Sequence, residues 1–149
     1  MRAVVQRVSR ARAIVQDRVS GEITRGMVVL LGVGNEDTTG DADQLAAKIS
    51  TLRIFPDAGG LMNLDVSEAG GSVLLISQFT LHGDARKGRR PSFIAAAREE
   101  VALPLYEHVA EAIRAAGIPV ERGVFGAHMD VELVNDGPVT ILLDTKRAF

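Results

Sequence analysis

Two stretches of the chain are apolar without interruption, Met27 to Val33 and, just after Gly70-Gly71, Val73 to Ile76. Runs of that length bounded by turn residues read as strands buried on both faces. Ala3 to Val8 and Ala11 to Gln16 alternate instead, and predict two half-buried strands joined by Ser9-Arg10. Val19-Ser20-Gly21 and Arg25-Gly26 read as turns around a short strand, Glu22 to Thr24, and Val120 to Val124, Met129 to Val134 and Val139 to Leu143 add three more strands. Arg53-Ile54-Phe55 reads as a short strand ended by Pro56-Asp57 and Gly59-Gly60, with Met62-Asn63-Leu64 as its partner. Helical spacing occurs twice. Asp41-Ala42-Asp43-Gln44 resembles a capping box, and Ala42, Leu45, Ala46, Ile49 and Leu52 continue at the helical period. Val101 to Ala116 carries the stripe Ala102, Leu105, Tyr106, Val109 and Ile113, with Pro104 in its first turn and Gly117 as its stop. Strands outnumber helices, and no repeat or linker divides them. The pattern predicts one α/β domain over residues 1–149, layered β/β/α, with mostly antiparallel or mixed sheets and two main helices.

Composition narrows the setting. A chain of 149 residues buries roughly 70% of its unfolded surface. It has no cysteine, which removes disulfides and thiolate metal sites and reads as a reducing compartment. Met1 to Arg7 lacks the apolar core of a signal peptide, and no stretch approaches the roughly 20 apolar residues of a membrane span. The net charge of -2 argues against broad, charge-driven binding of nucleic acid. A local basic site gripping one end of an RNA is still compatible with it.

The candidate chemistry gathers where the strand Val73–Ile76 ends. Ser77, Gln78 and Thr80 crowd polar groups around Phe79, and such groups must find partners or face a ligand. Behind them runs Arg86-Lys87-Gly88-Arg89-Arg90-Pro91, the densest basic cluster of the chain. A polar strand end beside a basic loop suits an anionic substrate. Other chemistries fit poorly. His82, His108 and His128 show no His-x-x-x-His spacing for a metal, and Ser77 lacks the glycines of a nucleophile elbow. Gly32-Val33-Gly34 lacks the third glycine of a dinucleotide loop, since Asp37 stands there. Thr80 reads as a β-branched strand residue, as a nucleophile, or as one of two residues, with Phe79, whose backbone N–H groups bind a developing oxyanion. Asn135-Asp136-Gly137-Pro138 reads as a hairpin turn or as a backbone that another group approaches closely; the proline after Asp-Gly removes a ladder donor and is awkward for the hairpin.

Ser77-Gln78-Phe79-Thr80-Leu81, Arg90-Pro91-Ser92-Phe93 and Asn135-Asp136-Gly137-Pro138-Val139-Thr140 together resemble the signature motifs of the D-aminoacyl-tRNA deacylases. Gln6-Arg7-Val8, Arg53-Ile54-Phe55, Met62-Asn63-Leu64, Gly70-Gly71-Ser72-Val73 and Gly123-Val124-Phe125-Gly126-Ala127 extend the likeness over nearly the whole chain. The resemblance implies a cytoplasmic homodimer that hydrolyses the ester between a D-amino acid and the terminal adenosine of tRNA; if L side chains are rejected by steric exclusion, glycyl-tRNA, with no side chain, is not spared. It implies no metal or organic cofactor, and no membrane or DNA partner. Carried over, Ser77, Gln78, Phe79 and Thr80 line the catalytic pocket. Gly137 and Pro138, with a cis bond, enter the partner subunit's site as chiral selector, Phe125 and Met129 lie near the adenosine, and Arg86, Lys87, Arg89 and Arg90 hold tRNA phosphates. Two rival classes stay open: an esterase for small acyl esters, and a non-catalytic RNA-binding module, against which the 4% aromatic content counts.

Overall fold

The computed structural model describes residues 1–149 and is organised around one long strand. β1 (Arg2–Val15) pairs along one whole edge with β8 (Asp130–Asp144), antiparallel. Its other edge is shared: β3 (Gly26–Gly32) pairs with the first half and β2 (Arg18–Ile23) with the second. Beyond β3 the sheet turns parallel, through β6 (Ser72–Ser77) to β7 (Val120–Arg122). The sheet coils until β2 meets β7. A Cβ on Gly21 would stand 2.5 Å from the Arg122 carbonyl oxygen, so only glycine lets the two edges approach this closely.

α1 (Thr39–Thr51) and α2 (Glu99–Ala115) cover one face of this sheet. The helical stripes read from the sequence are the buried faces: Ala42, Leu45, Ala46 and Ile49 on α1, and Ala102, Leu105, Tyr106, Val109 and Ile113 on α2. They pack on Ala3, Val5, Met27, Val29, Leu31, Val73 and Leu75 in a cluster of 24 buried residues. The Tyr106 hydroxyl donates to the Leu75 carbonyl at 2.9 Å and so bolts α2 to β6; burial pushes its pKa up to about 12, which keeps it a neutral donor. A small hairpin, β4 (Phe55–Pro56) and β5 (Met62–Leu64), sends Phe55 into the same core. On the opposite face only seven residues are fully buried together, among them Val28, Leu74 and Ile76.

The mixed α/β architecture agrees with the pattern of the sequence, while several boundaries differ. The two alternating segments at the N-terminus are one strand. Ser9-Arg10 stays extended because β8 pairs across it, and the change of phase is absorbed by register shifts on either side of Val8. The turn lies later, at Gln16-Asp17, both in the left-handed region (φ 48° and 62°), so Val19 to Gly21 is strand. The cap of α1 is Thr38, with Asp41 as the reciprocal partner, three residues before the expected box. α2 begins at Glu99, so Pro104 stands beyond its first turn. β7 ends at Arg122, two residues before the expected limit. The strand of β6 passes into a short 3-10 turn, Phe79–His82, so Thr80 and His82 do not share a strand face.

The largest difference concerns Asn135 to Thr140. The chain does not turn back there. Val8 pairs with Asn135 and Gln6 with Thr140, so both ends of the motif belong to β8 and run along the same partner. The intervening residues rise from the sheet as a wide bulge. The Asn135 side chain closes it, accepting from the Val139 N–H at 3.1 Å through Oδ1 and donating to Thr140 Oγ1 at 3.1 Å through Nδ2. At the apex Gly137 has φ +126°, which L side chains rarely adopt, and the Gly137–Pro138 bond is cis.

Candidate active site

β6 carries apolar residues because both its faces are covered, and at Ser77 it leaves that cover. Gln78 N–H still donates to the Leu31 carbonyl at 2.7 Å, which holds the segment to the end of β3. From there the chain tightens into the 3-10 turn. Leu81 N–H bonds the Gln78 carbonyl at 3.2 Å and Gly83 N–H the Thr80 carbonyl at 2.9 Å. The N–H groups of Phe79 and Thr80 open this turn, and no protein acceptor takes either of them.

The turn docks on glycine. A Cβ on Gly32 would stand 2.9 Å from the Gln78 carbonyl oxygen, and one on Gly34 3.0 Å from the His82 ring. His82 fits between them with a buried Nε2 that has no partner. Burial pushes its pKa below the ordinary histidine value, with the Arg2 charge adding to the effect, so the ring here is neutral. Arg2 donates to the Leu81 carbonyl at 2.9 Å and to Asp144 Oδ2 at 3.2 Å, and pins the far end of the turn to β8.

Beside the turn lies a cleft of ≈ 400 Å³. Ser77, Gln78 and Phe79 form one wall, and Phe125, His128 and Met129 another, with Ile76 at the floor. The sequence singled out all but His128 and Ile76 of these for the site. Phe125 leans on Tyr106 with ring centroids 5.6 Å apart, so the helical core sets its position. Met129 lies close over Gly123, where a Cβ would be 2.5 Å from its sulfur. Glu99, at the start of α2, also lines the cleft; as the first residue of a helix it carried no signal beyond an ordinary acidic first turn.

Thr80 is not in the cleft lining. Its hydroxyl oxygen accepts from the Gln78 side-chain amide, and no basic group bonds it. A nucleophilic threonine needs a base to take its proton, so the geometry favours the backbone reading of this residue. Gly137 and Pro138 are absent from the cleft too; they sit exposed at the apex of the β8 bulge. Arg7 holds that apex. Its Nη1 donates to the Ile54 carbonyl at 2.7 Å, and its Nε lies 3.2 Å from both the carbonyl and Oδ2 of Asp136. The sequence offered Arg7 only as part of the Gln-Arg-Val resemblance; its neighbours on β1 gave no hint that one side chain joins three segments. Arg86, Lys87, Arg89 and Arg90 occupy the exposed loop after the turn, where Arg86 is tied to Asp84 at 2.6 Å.

The chain belongs to the D-Tyr-tRNA(Tyr) deacylase family, whose sequence model matches residues 4–144. It is 61% identical over 149 residues, all of both chains, to the D-aminoacyl-tRNA deacylase of Koribacter versatilis. Among solved structures it is similar to the c-Myc DNA unwinding element binding protein, with TM-score 0.91, 39% identity and coverage of 97% of this chain and 99% of that one. The fold alone is shared with a probable eukaryotic D-amino acid tRNA deacylase, at TM-score 0.83 and 17% identity over 95% of this chain and 97% of the other.

Proposed function

We propose that this protein hydrolyses the ester that joins a D-amino acid to the 3′-terminal adenosine of tRNA, and that it spares the L ester. The observation that carries the chemistry is the pair of N–H groups on Phe79 and Thr80, both unengaged and beside an apolar cleft with no activated nucleophile. Water adds to the ester carbonyl carbon, and the carbonyl oxygen takes the negative charge between those two donors. The 2′-hydroxyl of the substrate's own ribose orients the water. When the tetrahedral intermediate collapses, the acyl–oxygen bond to the ribose breaks, the ribose oxygen takes up one of the water's two protons, and the amino acid leaves as carboxylate with the other proton released to solvent. Phe125 and Met129 supply the apolar contacts for adenosine.

Chirality is read by exclusion. Gly137-Pro138 presents backbone with no side chain at its nearest point, and pressed against the α-carbon it leaves no room for an L side chain. Its exposed apex lies outside this chain's own cleft, which favours service to a second copy, and a homodimer follows. The half-exposed apolar row Leu142, Val4 and Leu30, paired across β8, β1 and β3, gives that copy a surface to cover. Exclusion ignores what a D side chain is, so many D-amino acids are substrates, and so is glycine. The basic loop, Arg86 to Arg90, holds acceptor-stem phosphates, and the setting is the cytoplasm, where tRNA is charged.

The test is deacylation of D-tyrosyl-tRNA, L-tyrosyl-tRNA and glycyl-tRNA by the purified protein with chelator present. Rapid loss of the D and glycyl esters, with the L ester intact, is the expected result. Equal loss of D and L overturns the chiral reading, and survival of all three overturns the activity.

A further inference from the structure

Two phenylalanines stand in water at the mouth of the cleft. Phe79 is 57% exposed and Phe93 36%. Their ring centroids are 5.2 Å apart with planes at 72°, an edge-to-face pair that leaves a broad aromatic face free. The contact depends on Gly83, where a Cβ would stand 3.0 Å from Phe93 Cε1 and 3.0 Å from the Thr80 carbonyl oxygen. The 3-10 turn thus presents one ring directly and seats the other against itself.

The surroundings are basic. Asp84 and Ser92 exchange backbone hydrogen bonds of 2.8 and 2.9 Å, closing the loop between them, and Phe93 is the next residue. Asp84, the only acidic residue of that stretch, is taken by Arg86. Lys87, Arg89 and Arg90 are exposed and pair with no carboxylate. Exposed flat rings beside unneutralised cations are what a single strand of nucleic acid requires, rings for the bases and cations for the phosphates.

We propose that Phe79 and Phe93 form a stacking platform for the nucleotide 5′ to the terminal adenosine, whose phosphate the free cations of the loop neutralise. The proposal rests on the deacylase reading above and extends it by one nucleotide. Every base has a π-face, so the platform accepts the single-stranded end shared by all tRNAs without reading the body. It also anchors the strand upstream of the ester, so that the adenosine enters the cleft at a fixed depth.

The test compares the D-tyrosyl ester of adenosine with the D-tyrosyl ester of the dinucleotide CpA. Wild-type kcat/KM should be about tenfold higher for the dinucleotide, the scale of one base stacked on an aromatic ring. Phe93→Leu should remove most of that gain through KM while the adenosine ester turns over as before, and Phe93→Trp should keep it. Equal wild-type rates on the two esters overturn the platform, as does a Phe93→Leu loss shared by both. A change of association state in Phe93→Leu, read by sedimentation, also overturns it and assigns the rings to a subunit contact. If neither ester is cleaved, the deacylase reading falls instead. Calorimetry with CpA against adenosine then decides the platform alone: tighter CpA, weakened by Phe93→Leu, supports it, and equal affinities refute it.

Discussion

The two faces of the coiled sheet share strands and differ in nearly everything else. The face under α1 and α2 is closed, with a single cluster of 24 buried residues and a Tyr106 hydroxyl that finds its one partner inside. The other face buries seven residues and then opens, through half-exposed Met129 and Val131, into the cleft. Close packing makes the closed face intolerant of lost volume. The open face keeps backbone donors without a protein partner and aromatic rings wet, arrangements that add little to stability and leave both groups free to meet another molecule. Stability and chemistry therefore meet at the cleft: along β6 Leu75 belongs to the helical core and Ile76 to the cleft floor, while Leu31, Val33 and Ala102 of that core line the cleft as well.

Substitutions should separate the two faces. The largest effect is expected from Phe55→Ala, which empties a fully buried position of the closed core. It should cost about 3–5 kcal/mol in denaturant unfolding, while the folded fraction keeps the wild-type ratio of D to L hydrolysis. A changed ratio would mean that the core and the selector are coupled. Arg7→Ala should do the reverse. Losing the guanidinium that joins Ile54 to Asp136 should raise relative hydrolysis of L esters about tenfold, what hydrogen bonds to a charged group are worth. An unaltered ratio would show that the bulge holds its shape without that clamp. Thr80→Ala is expected to lower kcat by less than about tenfold, since it removes a hydroxyl engaged only by Gln78 and keeps the backbone N–H. A loss near a thousandfold would return the side chain to the chemistry.

The smallest effect is one of pH. Burial lowers the folded-state pKa of His82, so the unfolded chain takes up a proton first as pH falls. Stability from this residue is complete above the unfolded value, about 6.5, and declines below it. Thermal melts between pH 7.5 and 5.5 should show a slope that His82→Gln flattens; an identical slope in the variant would exclude the residue as its source.

Much of this architecture was readable before any coordinates. Hydrophobic spacing marks the buried faces of α1 and α2 because a helix stripe has a fixed period, and the apolar runs of β3 and β6 need cover on both sides. What sequence reading lost is what long-range pairing decides. Ser9-Arg10 has the composition of a connection and is held straight only because β8 runs beside it. Asn135-Asp136-Gly137-Pro138 has the composition of a hairpin, and nothing local reveals that both its flanks pair with β1. In the cleft the polar residues at the end of β6 were legible as unusual for a strand. Glu99, His128 and the clamp of Arg7 were not, because the partners of Arg7 lie 47 and 129 residues away and the other two meet the end of β6 only through the fold.

The bulge on β8 has a consequence for how such a protein can vary. Between Gln6 and Val8 the partner strand spends one residue, while β8 spends four between Asn135 and Thr140. Regular pairing resumes from Arg10 after a second, one-residue shift beyond Val8, so the surplus belongs to neither flank. Residues can be gained, lost or exchanged in that excursion with every inward side chain of β8 still facing inward. The sheet works here as a socket that holds an interchangeable tip, which can be reshaped without renegotiating the fold that carries it.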